Sequence, residues 1–88
     1  MISFTVEVLN QFGLHARPAA KFVKTASKFK SNITVKKDGG SFNPKNIFGV
    51  MTINAKYGDK LVIEIDGEDE VEATKVIEEL FRTKFGEV

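Results

Sequence analysis

Ile2, Phe4, Val6 and Val8 alternate with Ser3, Thr5 and Glu7, the period-two pattern of a strand with one buried face. Asn10 to Gly13 reads as a loop. From about Ala16 to Phe29 the period changes to that of a helix, with Ala19, Phe22, Val23, Ala26 and Phe29 on one stripe. Pro18 falls in the first turn of that helix, where its missing N–H matters little. Ile33 and Val35 mark a second strand. Lys37-Asp38-Gly39-Gly40 is a hairpin signal, and Ser41, Phe42 and Asn43 form the short return strand. Asn43-Pro44 is a plausible N-cap and first helical position, with Asn46 a second cap candidate. A short helix carrying Ile47, Phe48, Val50 and Met51 follows. After a turn at Tyr57-Gly58-Asp59, Leu61, Ile63 and Ile65 alternate with Val62, Glu64 and Asp66 as the last strand. Ala73, Ile77, Leu80 and Phe81 then give a final helix its buried stripe. The order β-α-β-β-α-β-α predicts an α+β fold: an open-faced α/β sandwich with a four-stranded antiparallel sheet and helices on one face.

Eighty-eight residues are expected to form one domain, residues 1–88. A chain of this length buries roughly 60–65% of the surface its unfolded form exposes, enough for one modest core. The absence of cysteine excludes disulfides and thiol chemistry and fits a reducing compartment. A single histidine excludes a multi-histidine metal site, so neither a metal nor a cofactor is expected. The longest apolar runs are too short to span a membrane, and Met-Ile-Ser-Phe-Thr-Val-Glu-Val has no basic region before it, unlike a signal peptide. A cytoplasmic location is the expectation.

Charge divides the chain. Residues 1–45 hold eight Lys/Arg against two Asp/Glu, and residues 46–88 hold five against ten. Lys21, Lys24 and Lys28 follow Arg17 at spacings of three and four, which gathers them near one helical face. Such a face steers acidic partners. No aromatic stacking platform lies beside the lysines, so nucleic acid is not expected. The acids from Glu64 to Glu72 read as a charged helix start and a solvated face, not as a catalytic pair or metal site.

The chemistry gathers at Gly13-Leu14-His15-Ala16-Arg17-Pro18-Ala19-Ala20. The first backbone N–H groups of a helix, here those of Ala16 and Arg17, lack intrahelical acceptors and attract anions. The helix dipole adds roughly half a positive charge there. Arg17 adds a full charge on a planar fork that suits phosphate oxygens. A neutral imidazole at that spot is a nucleophile beside an anion site, fit to accept and hand on a phosphoryl group.

These residues resemble the active-site motif of HPr, the histidine-containing phosphocarrier family of the bacterial sugar phosphotransferase system. The resemblance runs over nearly the whole chain and includes Thr25-Ala26-Ser27-Lys28-Phe29, Lys37-Asp38-Gly39 and Tyr57-Gly58-Asp59-Lys60-Leu61. It implies a relay: enzyme I, charged by phosphoenolpyruvate, passes its phosphoryl group to Nδ1 of His15, and sugar-specific IIA domains then take it. Arg17 would stabilise the phosphoryl group. Partners would dock on a surface of the first and middle helices, at Ala20, Lys24, Ser27, Ile47, Phe48 and Met51, with at least one of the last three apolar residues belonging to the core instead. The chain would be a monomeric component of the system with a phosphohistidine intermediate, and not an independent enzyme.

Two positions depart from the family pattern. Many members carry a regulatory serine where this chain has Asn46, and asparagine cannot be phosphorylated. Phe12 stands where a small polar residue is often found. Two alternatives share the fold: a regulatory, nitrogen-type phosphocarrier uncoupled from sugar transport, and a binding module without phosphoryl chemistry. Intact His15 and Arg17 argue against the second.

Overall fold

Rows of apolar side chains run across the middle of the sheet and define its inner face. In the computed structural model, which describes residues 1–87, Phe4 of β1 (Ile2–Glu7) is paired with Ile63 of β4 (Lys60–Asp66), and Ile63 with Val35 of β2 (Asn32–Lys37). Ile2, Ile65 and Ile33 form a parallel row. Strand β3 (Gly40–Phe42) completes a sheet of order β1-β4-β2-β3, antiparallel at every pairing. The expected alternation thus sets the register, because a slip by one residue would turn every one of these side chains to the wrong face. Ser3, Thr5, Glu7 and Val62 are exposed on the other face.

The inner face is covered by α1 (Ala16–Ala26), α2 (Ile47–Thr52) and α3 (Glu70–Arg82), giving the predicted open-faced sandwich and element order. Ala19, Phe22 and Ala26 of α1, Val50 of α2, and Ala73, Ile77, Leu80 and Phe81 of α3 are buried against Ile33, Val35, Leu61, Ile63 and Ile65. The tight β2–β3 turn is Asp38-Gly39, with φ values of 50° and 81°. Both are left-handed, as a two-residue hairpin turn matched to strand twist requires.

Three local readings change. Helix α1 ends at Ala26, short of Phe29. The N–H groups of Lys28 and Phe29 donate to carbonyls three residues back, which tightens the last turn. The next two N–H groups, of Lys30 and Ser31, donate instead to the Asp69 carboxylate, and Lys45 Nζ donates to the carbonyls of Phe29 and Ser31. Long-range partners thus take over where the helical pattern would continue, and Phe29 still packs on the core from outside the helix. Val8 lies beyond the end of β1 but stays buried, its N–H donating to Asp59 O. Of the two cap candidates for α2, Asn46 serves: its side chain accepts from Phe48 N–H at 2.9 Å. Asn43 instead accepts from Lys45 N–H in the turn before it.

Candidate functional site

The approach to α1 is pinned on both sides of Gly13. Gly13 has φ +69°, and its N–H donates to Asn10 O. Leu14 is buried, and its N–H donates to Ala55 O at 3.0 Å. His15 follows as the N-cap of α1, in extended conformation (φ −75°, ψ −175°), and its side chain accepts no hydrogen bond from the helix. The first intrahelical bond runs from Ala19 N–H to His15 O. Pro18 has no N–H to offer. The N–H groups of Ala16 and Arg17 are therefore left without an acceptor among the described residues, and no acidic side chain stands in the first turn. The usual N-cap side chain would have satisfied one of them; the imidazole leaves them open to an anion.

The His15 side chain is 39% exposed and looks into a cleft lined by Asn10, Phe12, Arg17, Lys21, Tyr57 and Glu87 among others. Phe12 meets the imidazole edge-on, ring centroids 6.3 Å apart, and is itself exposed. Arg17 is exposed and takes part in none of the ion pairs formed among the described residues. Its guanidinium is free to meet an incoming anion.

The far wall of the cleft comes from the other end of the chain. After α3, Lys84–Gly86 form a single 3₁₀ turn in which Lys84, Phe85 and Gly86 all have positive φ (57°, 57° and 80°). The left-handed region costs a non-glycine residue about 1–2 kcal/mol. Burial of Phe85 against Phe22 and Phe81, at centroid distances of 5.9 and 4.8 Å, offsets it. This anchor brings Glu87 Oε2 to 3.2 Å from His15 Nε2. The buried Asn10 donates through Nδ2 to Glu87 Oε1 at 2.6 Å and to Lys84 O at 2.8 Å. The Asn10 hydrogen bond holds the Glu87 carboxyl below the usual carboxylate range, against the opposing effect of partial burial, and the charges of His15 and Arg17 add to it.

Of the residues singled out from sequence, His15, Arg17 and Lys21 line one cleft. Ala20 and Lys24 of α1 and its C-cap Ser27 lie outside it and are exposed, and Phe48 and Met51 are exposed on α2, which packs against α1. Ile47 is half-buried against the core, the one member of that trio that packs inward. The sequence reading missed Asn10, Phe85 and Glu87. Asn10 and Glu87 are 77 positions apart, and no local pattern relates them. An asparagine in a loop and an acid in a polar tail are both ordinary. The one usable signal was Phe85, an aromatic continuing the Ile77–Phe81 stripe past the end of α3.

The family model described as the phosphorylation site of the PTS HPr component matches residues 2–83. The phosphocarrier protein HPr of Treponema pallidum is 47% identical over 87 residues, covering 99% of each chain. That of Xylella fastidiosa is 45% identical over 87 residues, covering 99% of this chain and 98% of its own. Among solved structures, an HPr of Thermoanaerobacter tengcongensis superposes with a TM-score of 0.96 at 46% identity, over 100% of this chain and 99% of its own. An HPr dimer from the same organism superposes at 0.79. With its sandwich, its open helix start and its histidine in that cleft, the chain belongs to the HPr family of phosphotransferase-system phosphocarriers.

Proposed function

We propose that this phosphocarrier takes the phosphoryl group from phosphorylated enzyme I onto Nδ1 of His15 and passes it to sugar-specific IIA domains. The observation that carries this reading is the pair of open N–H groups on Ala16 and Arg17, directly after an imidazole that does not cap them. Phosphoryl oxygens bound there gain two backbone donors, the helix dipole and the Arg17 guanidinium. Transfer then needs little beyond positioning and charge. His15, Arg17, Asn10 and Glu87 all line this one cleft. Partners dock on the exposed residues beside it: Ala20 and Lys24 on α1, Ser27 at its C-cap, Phe48 and Met51 on α2, with Ile47 supporting them from beneath. Exposed apolar side chains ringed by lysine suit a transient contact.

The test is incubation with phosphoenolpyruvate and enzyme I, followed by a search for acid-labile phosphate. Wild type should take up one equivalent and His15→Ala none, with an unchanged melting temperature, since the His15 side chain makes no cap and lies outside the core. Acid-labile phosphate on His15→Ala would place the acceptor elsewhere.

A further inference from the structure

We propose that Glu87 is a positioning residue for phosphoryl transfer: held by Asn10, its carboxylate keeps a hydrogen on Nε2 of His15 and leaves the ring's lone pair on Nδ1. The inference rests on His15 being the acceptor. Glu87 Oε2 faces His15 Nε2 at 3.2 Å, and Oε1 accepts from Asn10 Nδ2 at 2.6 Å. The same Nδ2 donates to Lys84 O. Both hydrogens of the Asn10 amide are thus committed, and turning it over would set its oxygen against a carbonyl and a carboxylate. Asn10 is 2% exposed, so water does not compete for this anchor.

A carboxylate has no hydrogen to give, so the imidazole nitrogen facing it must carry one. Nδ1 of the neutral ring is then the nucleophile. It attacks phosphorus with its lone pair. The bond from phosphorus to the donor breaks, and its electron pair leaves with the donor. No proton moves. The ring now holds phosphorus on Nδ1 and hydrogen on Nε2, and its delocalised positive charge faces Glu87. That charge keeps the ring a good leaving group for the onward step. Among the described residues lining the cleft, Glu87 is the one carboxylate. The other ionisable groups are the cations Arg17, Lys21 and Lys84 and the phenol Tyr57, none of which favours a cationic ring.

The experiment is nitrogen NMR of the His15 ring in the ¹⁵N-labelled full-length chain. It is run free and after charging by enzyme I and phosphoenolpyruvate, in wild type, Glu87→Ala and Glu87→Gln. Wild type should hold the hydrogen on Nε2. In Glu87→Ala the Nδ1–H form should rise about threefold or more. Onward transfer from the phosphorylated ring should also slow about tenfold toward alkaline pH, where no facing carboxylate holds the ring's charge. In Glu87→Gln the single amide oxygen accepts from Asn10 and the NH2 turns to the ring, so this variant should lose both the tautomer and the pH profile. Glu87→Ala leaves a buried Asn10 N–H unpaired and should lower the melting temperature, so the tautomer and the pH profile, not stability, read the outcome. Unchanged ring shifts and an unchanged profile in Glu87→Ala overturn the proposal, as does slower transfer accompanied only by a lower melting temperature. Failure of the parent reading looks different: wild type would then carry no phosphate on His15, and the role of Glu87 would fall with it.

Discussion

Gly13 lies so close against the carbonyl oxygen of Ala55 that no β-carbon fits between them. The same carbonyl accepts from Leu14 N–H, so it cannot back away without releasing the segment that presents His15. Gly13 also sits at φ +69°, where a side chain adds strain of about 1–2 kcal/mol. Gly13→Ala should therefore lower stability by at least about 2 kcal/mol and slow phosphoryl acceptance, although residue 13 touches no phosphate. Thermal melts and transfer rates measured together check this. Wild-type values for both would mean that Ala55 and the loop yield more easily than their hydrogen bonds imply.

Arg17 should act on charge and not on folding. It is exposed, and removing it takes away a charge-assisted contact to the phosphoryl group of about 1.5–3 kcal/mol when fully engaged. Arg17→Ala should slow acceptance at least about tenfold while leaving the melting temperature nearly unchanged. Single-turnover transfer from phosphorylated enzyme I is the measurement, and a wild-type rate would remove Arg17 from the mechanism.

Lys21 and Lys24 are exposed on α1, and Lys28 is exposed just past its C-terminal end. Their field should accelerate encounter with an acidic partner surface, over a range of about 10 Å at 0.1 M ionic strength. Association with enzyme I should slow as salt rises, and Lys24→Glu should reduce the association rate more than it alters dissociation. Stopped-flow association at several salt concentrations decides it; a flat salt dependence counts against steering.

Asp69 ties the start of α3 to the chain leaving α1. Its carboxylate accepts from Ser31 Oγ and from the N–H groups of Lys30 and Ser31, and these bonds hold its pKa below the ordinary carboxylate value despite an opposing contribution from burial. A lowered folded-state pKa contributes stability that is complete above the unfolded value, about 3.9, and is lost as pH falls through the folded one. Asp69→Asn should thus be less stable than wild type at neutral pH, with the gap closing below about pH 4. Urea midpoints from pH 7 to 2.5 test it, and parallel curves would show that the charge of Asp69 contributes nothing.

How far the sequence could be read follows from how local each signal is. The alternation of Leu61, Ile63 and Ile65 marks β4 as a strand with one buried face, and Ile63 and Ile65 meet apolar partners from both neighbours. His15 and Arg17 are legible for the same reason: a helix start, its open N–H groups and its adjacent cation all lie within a few residues. The end of α1 is less legible, since it depends on Asp69 and Lys45, both distant in sequence. The second half of the cleft is the least legible part. Glu87 reaches His15 only through a left-handed turn that Phe85 holds in place by burial with Phe22 and Phe81. Phe85 is the one local sign of that turn, and no pattern in the sequence pairs residue 87 with His15.

Asn46 caps α2 through Phe48 N–H, a bond that a serine hydroxyl at the same place would also make. Exchange between the two residues therefore leaves the helix start intact and changes only whether the position can be phosphorylated. A phosphoserine there would set roughly −1.5 to −2 charges beside Ile47 and the exposed Phe48, and should repel an acidic docking partner. Asparagine keeps this surface permanently permissive. An ATP-dependent HPr kinase should accordingly leave wild type unmodified, while Asn46→Ser should melt within about 1 kcal/mol of wild type and gain one phosphate. Intact mass after kinase treatment, followed by peptide mapping, reads the outcome. The nearest alternative acceptors differ in availability. Ser41 is exposed in β3, whereas the exposed Thr52 already donates its hydroxyl to Phe48 O. Stoichiometric ATP-dependent phosphate on wild type, at Ser41 above all, would show that control has moved along the chain rather than been lost.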